Sequence, residues 1–551
     1  MGPEAKTISP AAKTPADTLK EIADDFLEHH APAMKASTYR RSNTYFEVDA
    51  GDSVETTLRR SQLSDPRAKV KGAKHDAHHL ESLMREASTE AKRVIGEYKQ
   101  HASADLNIAI IGGGMYGCHL AMCLADVGAK VTLYEKQHEL FAGKSGYVSN
   151  RIHSGYHFVR SSRTRAGCCP EQQLFIKNYS GFYRSAKDRE SNTVLVVAED
   201  EQSKMDIGAI AGIFKADNLP VERIPLPYLH DRGFRNIQGG FRIRDPIMYI
   251  DYPREYFMTE LPKKGVLLRL GQSVTNLLHH SEKVAELGDG CPYNFVLNTT
   301  VNQVFPFNVE GRSGTRYEIF RTIIVAEKDT ATSDVVPAVE AFEILDGPFP
   351  GLEPYEFKNP EVTKYSSLGR LYQVTNAKSA MIGCYTSFDE ACSALALYDD
   401  TTAGMSDRSV TEQTDAIIKE IEYFHTNFRQ EFEVVDTWTS LNVNITDESD
   451  ACPVVVCRDF NYHPRLFQIF SPKVSSIFLA QLVLMRQMNE VIADELSSSA
   501  VGSDQPMAAL DEIQGPADEP HAAVAATEQA VEHGLSEAAN GKEGKDGPAD
   551  N

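Results

Sequence analysis

The spacing of apolar residues changes character along the chain. Between residues 18 and 27, Leu19, Ile22, Ala23, Phe26 and Leu27 fall on one helical face behind a Thr18-x-x-Glu21 capping box, which predicts an amphipathic helix. A second helical face lies near Ala77–Gln100, with Leu80, Leu83, Met84, Ala87 and Ile95 on one side. The stretch between them, around Asp49–Lys74, is polar and reads as irregular. From Asn107 onward the pattern becomes short apolar runs bounded by glycine. Asn107–Ile111, Lys130–Tyr134, Asn192–Val197 and several runs within Arg316–Thr386 have the length of buried strands. His119–Val127 is helical in pattern and stops at Gly128, a C-terminal cap. Ser409-x-x-Glu412 predicts the start of a long helix through about Phe432. Ile477–Met485 is the most apolar stretch, but it contains Gln481 and is followed by Arg486. A membrane span needs ~20 apolar residues, so a buried helix is expected there.

Three zones follow. Residues 1–104 form a polar, partly helical extension, residues 105–496 carry the strand-like runs, and residues 497–551 are a tail. The tail is acidic, rich in Ala, Gly and Pro, and has no aromatic residue, so it is expected to be disordered. Over the whole chain of 551 residues, 56 Lys and Arg stand against 78 Asp and Glu, a net charge of −22. Such a surface disfavours nucleic acid and anionic membrane as partners. The nine cysteines include no C-x-x-C pair, so neither a metal site nor a disulfide scaffold is expected. Reduced thiols suit a cytoplasmic setting. The N-terminus has no apolar signal region; Lys6 and Lys13 leave a mitochondrial presequence as the alternative. Oligomeric state is not legible.

The chemistry begins at residue 107. The strand Asn107–Ile111 runs straight into Gly112-x-Gly114-x-x-Gly117, then a helix, then the strand Lys130–Tyr134, then Glu135. Each part suits a dinucleotide. Gly112 permits a tight turn, Gly114 lets backbone N–H groups approach a pyrophosphate, and Gly117 lets the helix pack close to the strand. The helix N-terminus supplies unpaired donors and about half a positive charge. Glu135 stands where a carboxylate accepts the ribose hydroxyls and repels a 2′-phosphate.

The segment that follows, EKQHELFAGKSGYVSNRIHSGYHFVRSSRTRAGCC over residues 135–169, resembles the D-amino-acid-oxidase-like (DAO) family of FAD-dependent oxidoreductases. The resemblance is closest to a subgroup carrying R-[LI]-H-x-G-[YF]-H-[YF]-x-R-S, here Arg151, Ile152, His153, Gly155, Tyr156, His157, Phe158, Arg160 and Ser161. Tyr293–Gln303, Phe342–Tyr355 and Arg458–Ala480 extend it down the chain. It implies an α/β fold: a Rossmann-type FAD domain from segments 105–190, 235–305 and 450–496, and a mixed-sheet substrate domain from 191–234 and 306–449. It implies FAD as cofactor, held by Gly112, Gly114, Met115, Tyr116, Gly117, Glu135, Lys136, Ser149, Asn150 and Arg151. The family loop before the last helix is usually glycine-rich; here it contains Pro472, which has no N–H, and Lys473, which could neutralise charge on the reduced flavin.

The implied reaction is hydride transfer to flavin from a C–H next to nitrogen or oxygen of a small amine, amino acid or hydroxy acid. His153 is the first candidate for proton acceptor. If the loop is extended, His153 and His157 share a face and Tyr156 takes the other. Arg160 is the candidate for binding a substrate carboxylate or phosphate, and Arg458 for the active-site wall. Arg242 and Arg244 are expected in structural pairs with Asp245 or Asp251, and the adjacent Cys168 and Cys169 in packing. Alternatives are a non-oxidative flavin-dependent mutase, a flavin-binding protein without catalysis, and a nicotinamide-dependent dehydrogenase.

Overall fold

A computed structural model of the chain describes residues 73–148, 150–183, 193–288, 290–301, 303–306, 315–328, 341–375, 377–398, 407–444, 454–471 and 473–502. A six-stranded sheet runs in the order β19 (Val455–Arg458), β20 (Leu466–Phe470), β12 (Phe295–Asn298), β1 (Asn107–Ile111), β2 (Lys130–Glu135), β8 (Leu267–Leu270). All its pairs are parallel except the β19–β20 hairpin. The apolar run at β1 is continuous because both faces are covered. Ile108 and Ile110 point into one core, with the helices; Ala109 and Ile111 point into another. That second core lies under a small antiparallel sheet of β9 (Leu277–Ser281), β10 (Val284–Leu287) and β11 (Pro292–Tyr293).

The helical side is made by α1 (Ala73–Ala102), α2 (Met115–Asp126), α3 (Ser162–Asn178), α4 (Tyr252–Lys263) and a long C-terminal helix, Ile477–Gly502. Leu80, Leu83, Ala87 and Ile95 of α1 are buried in the same core as Leu120, Phe175, Phe257 and Phe478. Asn489 Nδ2 donates to the Ala87 carbonyl at 3.2 Å, and Lys177 pairs with Glu81 at 2.6 Å. The second predicted N-terminal helix is thus built into the dinucleotide domain. The first predicted helix, the polar stretch as far as residue 72 and the tail beyond residue 502 lie outside the described residues.

The second large sheet has nine strands. Its order is β17 (Met381–Tyr385), β13 (Arg316–Glu327), β16 (Leu371–Thr375), β15 (Gly351–Pro354), β14 (Ala341–Leu345), β4 (Thr193–Ala198), β6 (Ile237–Ile243), β5 (Glu222–Ile224), with β18 (Phe432–Asn444) also paired to β13. Only β14 and β4 pair in parallel, so the sheet is mixed. Its outer face packs on α5 (Asp407–Phe424) through Ile417, Ile418 and Ile421. A two-stranded ribbon of β3 (Asn150–Arg151) and β7 (Ile247–Met248) stands apart from both sheets.

Three boundaries differ from the sequence reading. Residues 237–243, expected in the FAD domain, form β6 of the mixed sheet, where Gly240 fits against β4: a Cβ there would stand 2.8 Å from the Leu195 carbonyl oxygen. The helix expected to start at Ser409 and run to about Phe432 starts at Asp407 and ends at Phe424. It ends where Thr426 N–H donates to the Gly233 carbonyl at 3.0 Å and turns the chain toward β18. The C-terminal helix continues past residue 496 to Gly502. Among the described residues no helix is long and apolar enough to cross a membrane.

Candidate active site

The glycine turn sits at the C-terminal ends of β1 and β2, where the sheet order reverses about β1. Gly112 has φ +107°, which a side chain would strain. A Cβ on Gly117 would lie 1.9 Å from the Gly112 carbonyl oxygen, so α2 reaches the strand this closely only with glycine there. Gly114 is the N-cap of α2 and offers no side chain, and Met115 N–H donates to Ser145 Oγ at 3.3 Å. Glu135 ends β2; its carboxylate accepts Gly113 N–H at 2.7 Å and Gln137 N–H at 2.9 Å. A turn stripped of side chains, a helix N-terminus and an anchored carboxylate fit a dinucleotide: diphosphate on the turn, ribose at Glu135.

The other expected cofactor residues are dispersed around this cradle. Tyr116 donates its hydroxyl to the Lys473 carbonyl at 2.7 Å, tying α2 to the loop before the C-terminal helix. Met115 is buried in the core beneath the turn, and Lys136 is exposed and reaches Gln303 at 3.5 Å. The backbone of Asn150 pairs with Met248. Ser149 and Pro472 lie outside the described residues.

Beyond β3 the chain folds into a tight turn rather than an extended strand. Gly155 has φ +119°, and Phe158 N–H donates to its carbonyl at 3.0 Å. The turn still brings His153 and His157 together, with ring centroids 5.6 Å apart. Tyr156 takes the other side, packed on Phe214 and donating to the Pro220 carbonyl at 2.7 Å. The two histidines have different surroundings. His153 Nδ1 is buried with no hydrogen-bond partner among the described residues. Burial, His157 and Arg151 hold its pKa well below the ordinary histidine value. His157 Nδ1 is bonded to Glu343 of β14, and its side chain is 35% exposed. Burial opposes protonation of His157, but the Glu343 charge and hydrogen bond prevail and raise its pKa.

Glu343 divides its two oxygens. One holds His157; the other takes Arg151 Nη1 at 2.5 Å. Arg151 Nη2 lies 3.1 Å from Glu353 on β15, and the Arg151 side chain is 1% exposed. Arg151 was expected along the cofactor; here it spans from β3 to the mixed sheet. Behind it, Asp245 is fully buried and accepts Ser154 Oγ at 2.5 Å and Gln172 Nε2 at 3.1 Å, leaving Oδ2 without a partner among the described residues. Desolvation pushes the Asp245 and Glu353 pKa values up.

Other candidates are committed elsewhere. Arg160 Nε pairs with Asp346 at 3.0 Å. Arg458 closes the β19–β20 hairpin through two bonds to the Pro464 carbonyl, 3.0 and 2.9 Å. Lys473 reaches Glu171 at 3.0 Å. Arg242 pairs across the sheet with Glu222 at 3.2 Å. Sequence reading missed Glu343, Glu353 and Glu171, and named Asp245 only as a structural partner for arginine. Glu343 and Glu353 carried a signal: single acids within the strand runs AFEIL and GLEP, which a buried sheet face tolerates only with partners.

The chain resembles known flavin-dependent proteins. The DAO family, described as "FAD dependent oxidoreductase", matches residues 107–305. The chain is 23% identical over 374 residues to FAD-dependent monooxygenase FPY4 of Fusarium mangiferae, covering 68% of this chain and 89% of that protein. It is 24% identical over 303 residues to FAD-dependent monooxygenase kojA of Aspergillus flavus, covering 54% of this chain and 68% of that protein. Glycine oxidase from Geobacillus kaustophilus superimposes with a TM-score of 0.47 at 13% identity, over 71% of this chain and 94% of that one. The match covers the glycine turn, Glu135 and the histidine loop together, and the nicotinamide alternative gives way. Residues 107–305 match the DAO family model of FAD-dependent oxidoreductases, and the comparisons support FAD as the cofactor.

Proposed function

We propose that the protein oxidises a small molecule at a C–H next to nitrogen or oxygen, with His153 taking the proton. Bound FAD supplies the hydride acceptor, and the protein supplies position, charge and proton transfer. The observation that carries this reading is the histidine pair. His153 is held neutral, with Nδ1 unpartnered, so it is ready to accept a proton at physiological pH. His157 is fixed by Glu343, which sets its tautomer and ring orientation beside His153. Arg151 fixes Glu343 in turn. The turn Gly112–Gly117 and Glu135 would hold the dinucleotide.

The experiment is anaerobic mixing of the FAD-loaded protein with amines and alcohols, followed at the flavin absorbance. Bleaching by one of them supports the reading; a flavin that no donor reduces counts against it. The relatives' monooxygenase names favour a second reading, in which a nicotinamide donor reduces the flavin and oxygen is inserted into the substrate. Bleaching by NADPH or NADH, and not by the substrate, would select it.

A further inference from the structure

We propose that His157 is the second proton carrier of this site: the proton that His153 takes from the substrate passes to His157 and leaves from there to water. The proposal rests on the hydride-transfer reading above and deepens it.

The contacts set the two rings up as a pair. Their centroids are 5.6 Å apart and their planes are inclined by 37°. Phe158, itself buried, packs edge-on against both, 5.3 Å from His153 and 5.0 Å from His157, so one aromatic ring holds both imidazoles in place. At this separation a proton passes between ring nitrogens directly or through one bridging water. The two ends of the pair differ. His153 Nδ1 is buried and has no hydrogen-bond partner among the described residues. His157 Nδ1 is bonded to Glu343, which leaves Nε2 as its exchanging nitrogen, and the side chain is 35% exposed.

The charges around the pair give the transfer its direction. For His153, burial comes first, and His157, Arg151 and Lys473 add to it, so its pKa lies well below the ordinary histidine value although Glu343 pulls the other way. For His157, burial and Arg151 oppose a positive charge, but the bonded Glu343 and the nearby Glu353 prevail and raise its pKa. Glu343 is buried, and its second oxygen is fixed by Arg151 Nη1 at 2.5 Å, so the carboxylate stays where the His157 charge would form. The step balances. His153 takes the O–H or N–H proton of the substrate as the hydride goes to the flavin, and becomes an imidazolium with a proton on each nitrogen. One of these protons passes to Nε2 of neutral His157, whose own proton stays on Nδ1 toward Glu343. The His157 imidazolium then gives the Nε2 proton to water, and both rings are neutral again. An alcohol leaves as a carbonyl compound and an ammonium as an iminium, with one proton released in either case.

The test follows flavin absorbance and proton release together. FAD-loaded full-length protein is mixed anaerobically with a reducing amine or alcohol, in weak buffer on the alkaline side of neutrality, with a pH-indicating dye. In the unmodified protein one proton is expected to appear in step with the loss of flavin colour. In His157→Asn its release is expected to lag flavin reduction at least tenfold. Release in step with reduction in that variant overturns the proposal. A second readout needs no donor. Histidine rings labelled with carbon-13 are titrated by NMR in the FAD-loaded protein, with His153 and His157 assigned from His153→Ala and His157→Asn. His157 is expected to take up its proton at higher pH than His153, and Glu343→Gln is expected to lower the His157 midpoint. A His157 midpoint below that of His153 makes the transfer uphill and overturns the proposal even if no donor is found. The expected order of midpoints, with a flavin that no donor reduces, counts against the hydride-transfer reading and supports the pair as a directed proton path.

Discussion

At the scale of single residues, two histidines four positions apart have their proton affinities pushed in opposite directions, His153 down and His157 up. His153 is depressed by burial and by the neighbouring His157, so its neutral form persists to pH well below 6.5. Flavin reduction is therefore expected to stay level across neutral pH and to fall only in acid, as His153 takes up a proton. Replacing His157 by Asn removes an adjacent positive charge, which raises the His153 pKa and moves that acid limb to higher pH. A pH profile of single-turnover reduction in both proteins checks it, and an unmoved limb would separate the two rings. Much of this was legible in the sequence: His153, His157 and Gly155 sit in one motif, and their shared face survives although the loop is a turn. The partners were not legible. Glu343 and Glu353 reach Arg151 only because β14 and β15 come together across nearly two hundred residues of chain, and no local periodicity encodes that.

At the scale of elements, the strand–turn–helix unit was readable because each of its glycines answers a local steric demand. Gly117 is the sharpest case, since a Cβ would overlap the Gly112 carbonyl at 1.9 Å. Gly117→Ala is expected to push α2 off β1, abolish stoichiometric FAD binding and lower the melting temperature. Gly143→Ala, in a loop with nothing within 4 Å of its Cβ, is expected to do neither. Flavin content after gel filtration and a thermal melt read both outcomes. The helix α1 was readable from its apolar face, but its membership of the dinucleotide core was not. Val94 is fully buried there among Leu106, Leu124 and their neighbours. Val94→Asp is expected to cost about 3 kcal/mol, measured by denaturant unfolding, because it places an unpaired charge in an apolar core. A cost near zero would show that α1 is dispensable to that core. The β6 boundary was misread for a related reason: a strand's apolar pattern does not say which of two sheets it joins.

At the scale of the whole molecule, Arg151 links the loop that carries the histidines to the mixed sheet. It is buried, and both of its acidic partners are buried with it. Arg151→Met would leave Glu353 without its cationic partner and Glu343 with His157 alone, at an expected cost of about 3–5 kcal/mol. Adding Glu353→Gln to that variant is expected to restore part of the loss, and chemical denaturation of the three proteins measures both. The general architecture, two unlike sheets with the glycine turn in one and the acidic strands in the other, followed from the sequence through resemblance. The charge balance between them emerged only from the folded contacts. The central claim is that FAD held by the glycine turn is reduced while His153 takes the proton. The most direct test compares anaerobic flavin reduction by the same donor in the unmodified protein and in His153→Ala. Both should bind one FAD, and the variant should be reduced about 100-fold more slowly, the usual contribution of a positioned base. Equal rates with FAD fully bound in both would contradict the account.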